Sequence, residues 1–165
     1  MIDQTHGNVR PVSRGPQALI CRTLVLAVVA ATGSASAASI VVSSDADNTN
    51  IDDSCTLREA IWNANDDAQI NVDCASGSGA DTIVFSFTGP SDRTITLTAA
   101  LPNVTNDSVL TIDGGSLGIT VSGDNQYRVF YLVNGSTLEL QHIRIEKGYG
   151  TGGGGAIISL GTLSL

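Results

Sequence analysis

From Thr82 onward the chain is a succession of very short β-type segments, each closed by a turn signal. Thr82–Phe87, Thr94–Leu97, Val109–Ile112, Ile119–Val121, Val129–Val133, Leu138–Leu140 and Ile143–Ile145 are rich in Ile, Val, Leu and Thr. Between them stand Asp113-Gly114-Gly115, Ser122-Gly123-Asp124-Asn125 and Asn134-Gly135, which are turn-forming sequences. Short strands with turns at this density predict an all-β fold. A sandwich or barrel would show longer strands with cleaner alternation.

A loose repeat sharpens this expectation. Thr137-Leu138-Glu139-Leu140 recurs as Thr162-Leu163-Ser164-Leu165, an offset of 25 residues. Leu110-Thr111-Ile112 precedes Leu138-Glu139-Leu140 by 28. Such offsets, each carrying several short strands, suggest a solenoid in which coils stack strand on strand. The asparagine-bearing consensus of leucine-rich repeats is missing. Sparse aromatics and abundant aliphatics suit thin coils filled by stacked side chains.

The preceding segment reads differently. Ser39–Ser43 is a strand candidate, and Asp45–Asp53 is a polar loop. In Cys55-Thr56-Leu57-Arg58-Glu59-Ala60-Ile61, Thr56 and Glu59 have the spacing of a capping box. Leu57, Ala60, Ile61 and Ala64 share one helical face, so a short amphipathic helix is predicted to run to about Ala64. Solenoids need covered ends, and this helix is placed to cap the N-terminal one. Gly153-Gly154-Gly155-Ala156-Ile157 opens a new coil and Leu165 falls in mid-strand, so the chain is expected to be a fragment of, or the start of, a longer protein.

The first residues predict a compartment. Arg10, Arg14 and Arg22 precede the apolar run Leu24–Ala31, and Ala35-Ser36-Ala37 offers a small-residue cleavage site. That is the pattern of a secretory signal peptide over residues 1–37. The run is too short to span a bilayer, which takes roughly 20 residues. Cleavage would remove those three arginines but only one acid, Asp3, from a chain of net charge −8. The acidic remainder, with no basic stripe, argues against nucleic acid and anionic membranes as partners. Cys21 leaves with the leader. Cys55 and Cys74 remain, and an even pair in an oxidising compartment predicts one disulfide, with about 3 kcal/mol of stabilisation for a loop of this order.

The block Cys55–Ile61, followed by Asn63-Ala64-Asn65, resembles the CSLREA domain, with Thr56 where that motif has serine. Cys74 and Gly79-Ala80-Asp81-Thr82-Ile83-Val84-Phe85 resemble its continuation. Gly153-Gly154-Gly155-Ala156-Ile157 resembles the Gly-Gly-Ala-Ile repeat of polymorphic outer membrane proteins. The resemblance covers roughly Ile40 to the end. It implies a bacterial exported protein with a right-handed single-stranded parallel β-helix of the pectin-lyase-like kind. Residues 38–80 would form the capping segment and 81–165 the first coils. It implies cell-surface or secreted, adhesin-like proteins with no established catalytic residues. A C-terminal anchor or transporter domain is not seen in this chain.

The chemistry-bearing residues support a non-catalytic reading. Asp45, Asp47 and Asp52, with Asn48, Asn50 and Asp53, form an oxygen-rich loop that could hold Ca²⁺. The EF-hand spacing is not met, and a solvated acidic loop is the preferred reading. No other cofactor is indicated. Glu59 is explained by the capping box, and Arg58 is expected to pair with Asp52, Asp53 or Asp73. The later acids Asp113, Asp124, Glu139 and Glu146 do not align at the coil offset, as a polysaccharide lyase or hydrolase site would require. His142 falls where the inward phase resets and is expected in a turn. The function expected is adhesion or surface display without catalysis, toward a carbohydrate or a host or neighbour protein. The alternative is a secreted carbohydrate-active enzyme whose site lies in downstream coils.

Overall fold

Buried and more exposed positions alternate along most strands of the computed structural model. It describes residues 36–89, 93–105, 108–116 and 118–165, all within the compact unit Ser34–Leu165. The predicted leader, including Arg10, Arg14, Cys21, Arg22 and Leu24–Ala31, lies almost entirely outside the described residues.

Strand β1 (Ser39–Val42) is followed by helix α1 (Leu57–Asn65). Then come β2 (Thr82–Phe85), β3 (Thr94–Thr96), β4 (Val109–Asp113), β5 (Ile119–Ser122) and β6 (Phe130–Leu132). The chain continues through β7 (Thr137–Gln141), β8 (Ile143–Glu146), β9 (Ile157–Ser159) and β10 (Thr162–Ser164). One sheet has the order β1-β2-β4-β7-β10, a second β3-β5-β8 and a third β6-β9. All pairings are parallel.

Register places like on like. Ile40 pairs with Ile83, Ile83 with Ile112, and Ile112 with Leu140. Leu110, Leu138 and Leu163 form a second column, and Ile95, Val121 and Ile145 a third in the neighbouring sheet. Most of these side chains are fully buried and belong to one apolar core. The intervening positions, such as Thr82, Thr111, Glu139 and Ser164, form a polar column on the opposite face. A residue's direction across a strand reverses at every step, which separates the two sets of columns. The offsets of 25 and 28 residues are pairing offsets: Thr137 pairs with Thr162, and Leu110 with Leu138. Close stacking of turns demands glycine at Gly114, where an added Cβ would lie 2.3 Å from the His142 carbonyl oxygen.

Helix α1 has the expected N-terminus. Thr56 is its N-cap, and the capping box with Glu59 is complete. Leu57, Ala60, Ile61 and Ala64 are fully buried in the same core as the strands, and the helix packs against β1.

This arrangement corrects the expected all-β, right-handed single-stranded parallel β-helix. Among the described residues the strands lie in three separate parallel sheets of five, three and two strands, with one helix sharing their core. Among the described residues no closed solenoid is detected, and the architecture is of a mixed, parallel α/β-like kind. A regular solenoid needs each coil to contribute strands to the same sheets. Between β1 and β2, however, the chain is rich in Asp and Asn, residues depleted in strands. It forms a loop, a helix and a cross-linked loop instead. Val104 makes only an isolated bridge to Leu132, so the third sheet keeps two strands.

Candidate functional site

The block that dominates the sequence forms a buried polar cluster beside the helix N-terminus. The Thr56 amide donates to Glu59 Oε2 at 2.9 Å, and the Glu59 amide donates to Thr56 Oγ1 at 3.3 Å. Two otherwise orphaned amides are thereby satisfied. Cys55 and Cys74 are joined by a disulfide across a separation of 19 residues, as their number predicted.

Arg58 is the hub. Its Nε and Nη2 donate to Asp47 Oδ1 and Oδ2 at 2.9 and 2.8 Å, a bidentate pair. Nη1 donates to the Ala100 carbonyl at 2.7 Å, and Nη2 also to that of Ala99 at 2.8 Å. Asp47 accepts the Thr98 amide at 2.6 Å as well. The guanidinium thus fastens the loop before the helix to the segment after β3. Both partners are buried. The expected partners Asp52, Asp53 and Asp73 are not used. Sequence separation alone could not reveal Asp47, because residues 98–100 complete the site from far along the chain.

The acids Asp45, Asp47 and Asp52 have separate partners. Asp45 Oδ2 lies 2.6 Å from Arg93 Nη1, and Arg93 also sits 5.4 Å above the centre of the Phe87 ring. Asp52 Oδ1 accepts the Ser54 amide at 3.1 Å. Among the described residues no three His, Cys, Asp or Glu side chains gather as metal ligands.

Asn63 begins the Asn63-Ala64-Asn65 stretch behind the Cys55–Ile61 block. It is fully buried, and its Oδ1 accepts the Ile70 and Asn71 amides at 3.0 and 2.8 Å. Its Nδ2 donates to the carbonyls of Asn71, Cys74 and Ala75 at 2.9, 3.3 and 3.0 Å. A polar residue one turn after the box, among alanines, was the available signal. Asp81 is also buried. Its Oδ1 accepts the Ser78 amide at 2.9 Å and the Ala38 amide at 3.1 Å. Its Oδ2 has no hydrogen-bond partner. Burial pushes the Asp81 carboxyl above its ordinary pKa, against the pull of those two amides.

The sheet β3-β5-β8 carries a different kind of surface. Thr94, Thr120 and Arg144 are in register, as are Thr96, Ser122 and Glu146. Thr94, Thr120, Arg144 and Glu146, with Ile143 and Ile145, line an open groove of about 980 Å³. Neighbouring rungs are about 4.8 Å apart. Ser122 is buried and takes no part, but a comb of Thr94, Thr120, Arg144 and Glu146 presents hydroxyl, guanidinium and carboxylate groups that can hydrogen-bond an extended polar ligand. His142, at the groove's margin, lies in a bend between β7 and β8 with φ of 54°. Its Nδ1 is 2.8 Å from Asp113 Oδ1, and this contact, helped by the Gly115 amide, holds the Asp113 carboxyl below its usual range. Among the described residues no helix is long and apolar enough to cross a membrane. Comparison with protein-family models, curated proteins and solved structures finds no match.

Proposed function

We propose that the chain is an exported protein of the cell surface or the secreted fraction, serving adhesion or surface display rather than catalysis. The observation that carries this reading is the in-register polar comb Thr94–Thr120–Arg144, with Glu146, along the groove. Its side chains stand on a hydrogen-bonded sheet, so little conformational freedom is lost when a ligand aligns with them. The resemblance of Cys55–Ile61 to the CSLREA motif and the Cys55–Cys74 disulfide favour an exported protein. A carbohydrate or a host or neighbour surface protein fits the comb.

The second reading is a secreted carbohydrate-active enzyme. The Asp113–His142 pair supports it, because a carboxylate-oriented imidazole is a competent proton acceptor. Cell fractionation and binding of the secreted chain to immobilised glycans and to intact cells separate these readings. The adhesion reading expects the chain outside the cell, saturable binding weakened about tenfold or more by Arg144→Ala, and no turnover. Glycan cleavage lost in His142→Ala would replace it with the enzyme reading. Retention of the chain in the cytoplasm would overturn both.

A further inference from the structure

The small-residue site and the buried acid meet in space. Ala38 follows Ala35-Ser36-Ala37, and its backbone nitrogen lies 3.1 Å from Asp81 Oδ1. Asp81 is 1% exposed, and its second oxygen, Oδ2, has no partner. The neighbour that acts on it through charge is Asp67, of the same sign. A buried carboxylate with one oxygen idle and only neutral amides on the other is costly unless a cation is supplied.

We infer that hydrolysis of the Ala37–Ala38 bond creates an α-ammonium group at Ala38 that forms a buried ion pair with Asp81. The inference rests on the export reading. It goes beyond it by assigning the cleavage product a place in the fold. In the reaction a signal endopeptidase delivers water to the Ala37 carbonyl carbon. The C–N bond breaks, Ala37 leaves as a carboxylate, and the Ala38 nitrogen takes up protons to become –NH₃⁺. One donor becomes three, and the nitrogen gains a full positive charge beside Asp81 Oδ1, with spare donors for the unpartnered Oδ2.

The surroundings suit this exchange. Ser36 and Ala37 are exposed, so a peptidase can reach the bond. Downstream, the terminus is already fixed: the Ala38 carbonyl accepts the Thr82 amide at 2.9 Å, and Ile40 is fully buried. The new ammonium therefore cannot swing away at low cost. The hydrogen bond from the Ser78 hydroxyl to the Ser36 carbonyl is lost on cleavage, while the Ser78 amide stays on Asp81. Processing thus replaces a neutral contact with a charge-assisted one.

The test uses the full chain expressed through an export pathway, beside a variant with Gly-Ser inserted between Ala37 and Ala38. Intact mass should show a secreted chain that begins at Ala38. Secretion with a different first residue overturns the inference and leaves export standing. An unprocessed chain retained in the cell overturns the export reading itself. In the Ala38 chain, acetic anhydride should modify the terminal amine about tenfold more slowly than in the Gly-Ser variant, the ratio that one unit of pKa corresponds to. Equal rates overturn the ion pair, and this measurement needs no substitution in the core. Asp81→Asn should then lower the Tm of the Ala38 chain by about 5 °C and leave the extended chain unchanged or more stable. An equal change in both would also overturn it.

Discussion

The segment before β2 and the sheets that follow it are held together by opposite means. Before β2, side chains organise backbone: Arg58 on two carbonyls, Asn63 on two amides and three carbonyls, Asp81 on two amides. After β2, backbone ladders organise side chains into columns, and each residue needs only the right polarity and size. A loop-rich segment can therefore be as rigid as a sheet if a few buried polar groups are fully satisfied. Such a segment depends on single residues, whereas a column spreads its dependence over several rungs.

The sharpest way to break this contrast is Arg58→Ala. It leaves the Asp47 carboxylate buried without its cation. The expected loss is about 3–5 kcal/mol in denaturant unfolding. A loss below about 1 kcal/mol, the size of an exposed ion pair, would mean that the polar cluster is not what holds the segment. Next comes the double replacement Cys55→Ser with Cys74→Ser. Opening the 19-residue link should cost about 3 kcal/mol. Its effect on hydrogen exchange should be confined to the helix and its following loop. Protection lost equally from β4 and β7 would erase the distinction between the two regions.

On the sheet side, Ile83→Val removes one methylene from the centre of a column. The expected cost is about 0.5–1.5 kcal/mol, because Ile40 and Ile112 flank the gap. A cost as large as that of Arg58→Ala would show the columns to be as unforgiving as the cluster. The smallest effect is expected for Asp113→Asn at the surface. The Asp113 pKa is lowered by His142 and the Gly115 amide. Its stabilisation is therefore present above the ordinary carboxylate pKa and lost as pH falls through the folded-state value. The substitution should remove that acid-side slope from a plot of Tm against pH. It should change stability near neutrality by less than about 1 kcal/mol.

Much of the molecule was legible in the sequence where the cause is local. The capping box Thr56–Glu59, the buried face Leu57–Ala60–Ile61–Ala64 and eight of the strands follow from spacing within a few residues. The Cys55–Cys74 bond follows from counting. Strands β9 and β10 were seen only as an opening coil and a repeat, because glycines surround them and shorten the pattern. The partition into three sheets was not legible, since period-two alternation says which face is apolar and not which strand is the neighbour. Nor was Arg58's partner. Aspartates at 45, 47, 52, 53 and 73 look alike until the 98–100 segment arrives and selects Asp47. Asp81 was hidden for the same reason: its significance depends on Ala38, which reaches it through the β1–β2 register.

The disulfide also determines how the chain would carry a mechanical load. Tension entering at Ala38 runs along β1, whose four paired positions with β2 resist sliding together rather than opening one by one. Force that passes beyond β1 reaches Cys55 and crosses the sulfur–sulfur bond directly to Cys74. The helix and the loop behind it lie off that path. They keep their length while the strands are under strain, so a tether pulled through this protein yields first at hydrogen bonds between strands and never extends residues 56–73.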